Sequence, residues 1–303
     1  MSRIIRASVL GYCMGVRRAV KLAEDTLKKY ADSDVYSIGP LIHNEDALAY
    51  LASLGLTVLD ETALEHLCAE SEHKAKKSVV IIRAHGAAPD IREKLHAAGI
   101  VIVDATCPRV LANQKKVFNC AVQKYKIIIA GDKSHGEVTA LWGEAVHAGA
   151  ECVIVHNEHE ALVLSRSSGF AGAKTALVSQ TTVSTDEYEK IRAILCGVHP
   201  DIRVFDTICP ATHERQKALR ELSGQVDGIL VVGGKNSANT KRLFQSALRL
   251  CPYAAHIESA ADIPADFFNL QTVGITAGAS TPDAVIRGVE NRLLKKTEML
   301  KEA

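Results

Sequence analysis

Three of the eight cysteines, Cys13, Cys107 and Cys209, are set apart by their surroundings. Each follows an apolar, strand-like run and a short polar step, and each opens a helix-like segment. The runs are Ile4-Ile5-Arg6-Ala7-Ser8-Val9-Leu10, Ile100-Val101-Ile102-Val103-Asp104 and Ile202-Arg203-Val204-Phe205-Asp206. The two later copies resemble each other in letters, Asp104-Ala105-Thr106-Cys107-Pro108 against Asp206-Thr207-Ile208-Cys209-Pro210. Proline suits the first helical position, which needs no N–H donor, and it keeps the preceding residue extended. After Cys13, the apolar positions Val16, Ala19, Val20, Ala23 and Leu27 keep helical spacing. Each cysteine is therefore expected at a strand-to-helix junction, where α/β sheets bind ligands.

Thiolates in that position point to metal chemistry. A helix start offers N–H groups and the positive end of the macrodipole, both of which stabilise a thiolate and an anionic metal group. Structural zinc sites draw on closely spaced cysteine pairs, which this chain lacks. That lowers the zinc reading without removing it. Iron–sulfur clusters that only carry electrons usually have four cysteine ligands. Three leave one iron open to a substrate oxygen, as Lewis acid and electron source. Cys68, Cys120, Cys152, Cys196 and Cys251 lie within apolar patterns and read as small buried hydrophobes.

A second set of residues lies at polar, glycine-containing tips after other strand-like runs. His43, His85, His135, Thr181, Ser237, Asn239 and Ser280 all fall there, on the sheet edge expected for the cysteines. Histidine, hydroxyl and amide donors beside helix starts, with no carboxylate pair, describe an anion site suited to a diphosphate. Glu137 is the one acid among them, and a lone carboxylate hydrogen-bonded through Thr181 can deliver protons to a departing hydroxyl. The blander alternatives are turn histidines at 85 and 135 and a helix cap at Ser237. Gly233-Gly234-Lys235-Asn236-Ser237 lacks the P-loop pattern, and Gly11-Tyr12-Cys13-Met14-Gly15 is no dinucleotide fingerprint.

The elements that must position these residues repeat. The cysteines lie about a hundred residues apart, which suggests one compact unit for each. The predicted class is α/β, with three pseudo-repeated lobes of small, mostly parallel sheets arranged as a trefoil around a central iron–sulfur cluster. The lobes span 14–107, 108–208 and 209–303. The last lacks a strand, and the N-terminal segment 1–13 is expected to supply it. A single doubly wound sheet is the alternative, since βα alternation alone creates such likenesses.

Composition narrows the function. With 36 basic against 35 acidic residues the net charge is +1, so non-specific nucleic-acid binding is not expected. No apolar run reaches the roughly 18 residues of a membrane span, and Ala7 to Leu10 is too short for a secretory signal. A cytoplasmic location is expected, where cysteines serve metals or chemistry and not disulfides.

The chain resembles the 4-hydroxy-3-methylbut-2-enyl diphosphate reductase family along nearly its whole length. The likeness rests on Gly11-Tyr12-Cys13-Met14-Gly15-Val16, Ile42-His43-Asn44, Arg83-Ala84-His85-Gly86, Asp104 to Pro108, His135-Gly136-Glu137-Val138, Gln180-Thr181-Thr182, Lys235-Asn236-Ser237-Ala238-Asn239 and Thr276-Ala277-Gly278-Ala279-Ser280. The resemblance implies a [4Fe-4S] cluster on Cys13, Cys107 and Cys209, with one open iron. It implies a two-electron, two-proton reductive dehydroxylation yielding isopentenyl and dimethylallyl diphosphates, with electrons from a ferredoxin or flavodoxin. It also implies that His43, His85, His135, Ser237, Asn239 and Ser280 hold the diphosphate, and that Glu137, with Thr181 and His135, supplies protons. Tyr12, Pro210 and Ala238 depart from the family pattern, and only Ala238, where a second serine is common, touches the expected pocket. An iron–sulfur hydro-lyase and a cluster-based redox sensor are the rival functions.

Overall fold

The computed structural model describes residues 3–70, 77–167, 169 and 172–299; the outermost residues of the expected third lobe, 1, 2 and 300–303, lie outside them. The chain begins with β1 (Arg3–Arg6), α1 (Met14–Lys29), β2 (Asp34–Ile38), α2 (Glu45–Ser53), β3 (Leu56–Leu59), α3 (Glu61–Glu70), β4 (Ser78–Ile82), α4 (Pro89–Ala97) and β5 (Val101–Asp104). It continues through α5 (Pro108–Val122), β6 (Lys126–Ala130), α6 (Gly136–His147), β7 (Cys152–Val155), α7 (Glu158–Ser165), β8 (Thr175–Ser179), α8 (Thr185–Val198) and β9 (Arg203–Val204). It closes with α9 (Pro210–Ser223), β10 (Gly228–Val232), α10 (Ala238–Leu250), β11 (Ala254–Ile257), β12 (Thr272–Ala277) and α11 (Asp283–Met299).

The strands form three four-stranded sheets, ordered β3-β2-β4-β5, β7-β6-β8-β9 and β11-β10-β12-β1. Every pairing is parallel. A parallel sheet needs a crossover between neighbours, and the intervening helices provide most of them. The third sheet repeats the pattern of the other two only because β1 lies beside β12, in the place held by β5 and β9. Its register runs from Arg3 opposite Thr272 to Arg6 opposite Ile275, and Arg6 also pairs with Glu290 on α11.

Two compact units emerge. One comprises the described residues among 1–17, 42–49 and 210–303, and holds the β11-β10-β12-β1 sheet. Its sheet is covered on both faces: Leu230, Val232, Ile275 and Val289 pack on one side, and Leu219, Ile229, Val231 and Leu243 on the other. The second unit, residues 18–41 and 50–209, holds the other two sheets. There Val80, Ile82 and Leu95 share one core, while Ile128, Leu177 and Ile191 and then Ile127, Ile129 and Leu141 line the two faces of the next sheet. Central strands covered on both faces must be apolar at every position. This is why Ser78–Ile82, Lys126–Ala130 and Gly228–Val232 read as continuous runs.

The strands leading to the cysteines are shorter than their apolar runs. β1 stops at Arg6 and β9 has two residues. They are bonded on one side only, and the ladders end with Ala7 N–H to Ile275 O at 2.9 Å and Phe205 N–H to Leu177 O at 2.9 Å. The chain then turns through the polar step toward the cysteine. Among the described residues no helix is long and apolar enough to cross a membrane.

Leu177 is fully buried in β8, so Leu177→Ala is expected to cost about 2–5 kcal/mol through lost burial and a residual cavity. Urea unfolding of both proteins measures it.

Candidate active site

The backbone around each cysteine is the same. Cys13 N–H donates to Ala279 O at 3.1 Å, Cys107 N–H to Ala84 O at 2.9 Å, and Cys209 N–H to Thr181 O at 2.8 Å. Each acceptor lies two residues beyond the end of the neighbouring strand, β12, β4 or β8. The cysteine turn is thus hung from the tip of the adjacent strand. Each cysteine immediately precedes a helix, α1, α5 or α9. For Cys107, φ −57° and ψ 133° show the extended backbone required ahead of Pro108. All three thiols are half-buried.

Three of the remaining cysteines are held as thiols by burial. Burial pushes the Cys152 thiol up to about 12, and it also raises Cys68 and Cys120. A thiol raised by burial is a poor thiolate and a poor ligand.

In the unit that carries Cys13, the polar tips are tied to one another. Ser280 Oγ donates to His43 O at 2.9 Å, which fixes the loop that presents His43. Asn44 then caps α2, accepting from Ala47 N–H at 2.9 Å. Ser237 is the N-cap of α10, its Oγ accepting from Thr240 N–H at 3.3 Å. The capping role and an anion-binding role are compatible there. A hydroxyl that accepts from the backbone still has its own proton to donate. Ser280 is different, because its proton is already engaged with a carbonyl. Asn239 Nδ2, in the first turn of α10, is buried without a hydrogen-bond partner. Such an amide is costly unless something pairs with it.

In the other unit, Glu137 is the focus. Its side chain is 1% exposed, and Thr181 grips both oxygens: Thr181 N–H donates to Oε1 at 2.7 Å and Thr181 Oγ to Oε2 at 2.7 Å. Thr181 O is also the acceptor for Cys209 N–H. One residue therefore joins the carboxylate to a cysteine turn. Glu137 lies in the first turn of α6, where backbone N–H groups favour negative charge. His135 is the N-cap of α6, with Nδ1 accepting from Glu137 N–H at 3.2 Å. That bond assigns the neutral ring's proton to Nε2. His85 meets His135 edge-on, ring centroids 4.8 Å apart and planes at 73°.

Two residues inside the quoted motifs, Arg83 and Gln180, carry supporting roles that the motifs themselves do not reveal. Arg83 ends the buried run of β4 and lays its guanidinium across two glycines. A side-chain carbon on Gly136 would stand 2.0 Å from Arg83 Nη2, and one on Gly39 would stand 2.6 Å from Nη1. Burial lowers the Arg83 pKa, with Glu61 opposing, and the group stays cationic. It lines a cavity of about 240 Å³ with Gly39, Glu61, Ile91, Gly136 and Thr139. Gln180 holds the loop ahead of α6, its Oε1 accepting from Asp132 N–H at 3.1 Å. A cation directly after five buried residues was the available signal for Arg83.

The LytB protein family matches residues 4–294. A Treponema denticola protein named 4-hydroxy-3-methylbut-2-enyl diphosphate reductase is 43% identical over 295 residues, covering 96% of this chain and 98% of its own. The Aquifex aeolicus protein of that name is 33% identical, covering 97% and 96%. Two solved structures are similar along the chain. One, described as the terminal enzyme of the non-mevalonate pathway, has 33% identity and a TM-score of 0.69, covering 97% of this chain and 100% of the other. The other, an E-1-hydroxy-2-methyl-but-2-enyl-4-diphosphate reductase from Plasmodium falciparum, has 28% identity and a TM-score of 0.82, covering 99% and 88%. With the repeated cysteine turns and the clamped carboxylate already in view, these matches place the chain in the LytB protein family.

Proposed function

We propose that this protein is an iron–sulfur oxidoreductase of the non-mevalonate route to isoprenes. It converts 4-hydroxy-3-methylbut-2-enyl diphosphate, two electrons and two protons into isopentenyl or dimethylallyl diphosphate and water. The observation that carries the reading is the carboxylate of Glu137 held at both oxygens by Thr181, whose carbonyl anchors the Cys209 turn. A proton donor fixed to a metal-ligand turn is what reductive removal of a hydroxyl requires.

The donor set fits the implied cofactor. Three half-buried cysteines outside any disulfide sit in like turns at helix starts, whereas the other five pack against the hydrophobic cores. Cys13, Cys107 and Cys209 hold a [4Fe-4S] cluster with one iron left open. When bound, the cluster supplies electrons and a Lewis acid for the substrate hydroxyl. A ferredoxin or flavodoxin delivers those electrons, and the reaction runs in the cytoplasm. The same reading assigns one lobe to each cysteine: 14–107, 108–208, and 209–303 completed by 1–13.

The protein's own groups handle anion and proton. Asn239 Nδ2 gains the acceptor it lacks from a diphosphate oxygen. Ser237 donates its remaining proton, and His43, His85 and His135 Nε2 add further donors. Ser280 takes part after turning its hydroxyl from His43 O. Ala238, the first residue of α10, offers no hydroxyl, which lowers affinity for the diphosphate without altering the chemistry. For proton delivery Glu137 takes up a proton at Oε2, and the bond to Thr181 then reverses, Oε2–H donating to the Thr181 hydroxyl as that hydroxyl gives its own proton onward. One proton leaves with the hydroxyl as water, and the second reaches the allylic carbon.

Anaerobically reconstituted protein is expected to turn over the hydroxylated allylic diphosphate only with dithionite or another donor. Turnover without a donor would make it a hydro-lyase instead. Glu137→Gln should retain the cluster and lose about 100-fold or more in kcat, the usual reach of a general acid; unchanged kcat would remove the assignment. Gly136→Ala should push aside the Arg83 guanidinium, the flexible end of that side chain, at a cost of no more than about 1 kcal/mol. Thermal unfolding reads the change, and adding Arg83→Ala should remove it.

A further inference from the structure

Each cysteine turn has a second tether besides its N–H bond, and the three tethers follow one rule that the residue types conceal. Arg18, in the second turn of α1, donates to Thr106 O at 3.0 Å and Asp104 O at 3.3 Å, the carbonyls leading into Cys107. Asn113, in the second turn of α5, donates from Nδ2 to Thr207 O at 3.2 Å, on the approach to Cys209. Arg215, in the second turn of α9, donates to Gly11 O at 3.0 Å, on the approach to Cys13, and to Ala277 O at 3.3 Å. The helix begun after one cysteine thus reaches the turn that presents the next, and the order closes from Cys209 back to Cys13.

We infer that Arg18, Asn113 and Arg215 are positioning residues, each fixing the cysteine turn that follows next in this cyclic order. The inference rests on the cysteines' proposed role as cluster ligands. Ligands drawn from distant parts of a chain must be held within tenths of an ångström by supporting bonds. The N–H of each cysteine fixes its turn against the neighbouring strand, and the helix-borne donor fixes the approach to that turn. Burial underlines the point. Arg215 is 2% exposed and Asn113 3%, so their polar groups are retained at a desolvation cost that only well-made hydrogen bonds offset. At Cys107 the approach is shaped further by Asp104, whose Oδ1 accepts from Thr106 N–H at 2.8 Å and Oδ2 from Arg92 at 2.8 Å. Those bonds outweigh burial and hold the Asp104 pKa below the ordinary carboxylate range.

Hydrogen exchange of the full, cluster-free chain, read by peptide mass spectrometry, tests the pairing directly. Arg18→Met should speed exchange about threefold or more in the peptide containing Cys107 and leave the Cys13 peptide unchanged. Asn113→Leu should act on the Cys209 peptide, and Arg215→Met on the Cys13 peptide. Arg18→Lys, which keeps a donor, should restore the rate; this exposed position decides the matter if the buried variants fail to fold. After reconstitution, each disrupting variant should release iron to a ferrous chelator about threefold or more faster than wild type. Exchange that changes at the variant's own preceding cysteine, or evenly along the chain, or not at all, would overturn the inference, as would wild-type iron release. Failure of wild type to take up iron would instead overturn the cofactor reading, and the exchange data would still judge the pairing.

Discussion

In the proposed reaction the chemistry depends on Thr181. Its N–H and hydroxyl hold the two oxygens of Glu137, and its carbonyl holds the N–H of Cys209. A buried carboxylate needs both oxygens satisfied to remain in place, and here a single residue satisfies them. The same residue lies in the β8 tip, so the sheet, the Cys209 turn and the Glu137 carboxylate are tied to one another. On the proposed mechanism, loss of the hydroxyl alone removes a relay atom, whereas a shift of the backbone disturbs acid and ligand at once.

The arrangement is reached by repeating one backbone device. A strand buried on both faces ends in a polar tip, and the tip carbonyl receives the N–H of a cysteine presented by the adjacent edge strand. Parallel sheets make this possible because their carboxyl ends all open on the same edge. β1 is the element that makes the third copy possible: without Arg3–Arg6 beside β12, Cys13 would have no strand to present it. Side chains then adapt the copies to different tasks, Thr181 at one tip, Ala84 before His85 at another, and Ala279 before Ser280 at the third.

Much of this could be read from the residues. The central strands are legible because burial on both faces demands unbroken apolar runs, and Ser78–Ile82, Lys126–Ala130 and Gly228–Val232 have the bounds their sequence suggests. The cysteine junctions are legible because proline follows two of them and helical apolar spacing follows the third. Edge strands are less so: Ile4 to Leu10 is apolar beyond Arg6, yet only one neighbour bonds it, so strand gives way to turn early. The clasp of Ser280 on the His43 carbonyl joins residues far apart in the chain, which no local pattern encodes. Arg18, Asn113 and Arg215 escaped notice for a related reason, since the repeat lies in what they bond and not in what they are.

The account stands on a cluster held by three thiolates, with one iron left for substrate. Mössbauer spectroscopy of the full chain reconstituted anaerobically with iron-57, recorded with and without 4-hydroxy-3-methylbut-2-enyl diphosphate, tests that claim most directly. One iron site whose signature moves on substrate addition, with the others unchanged, is the predicted result. A spectrum indifferent to substrate, or a chain that takes up no cluster, would contradict it.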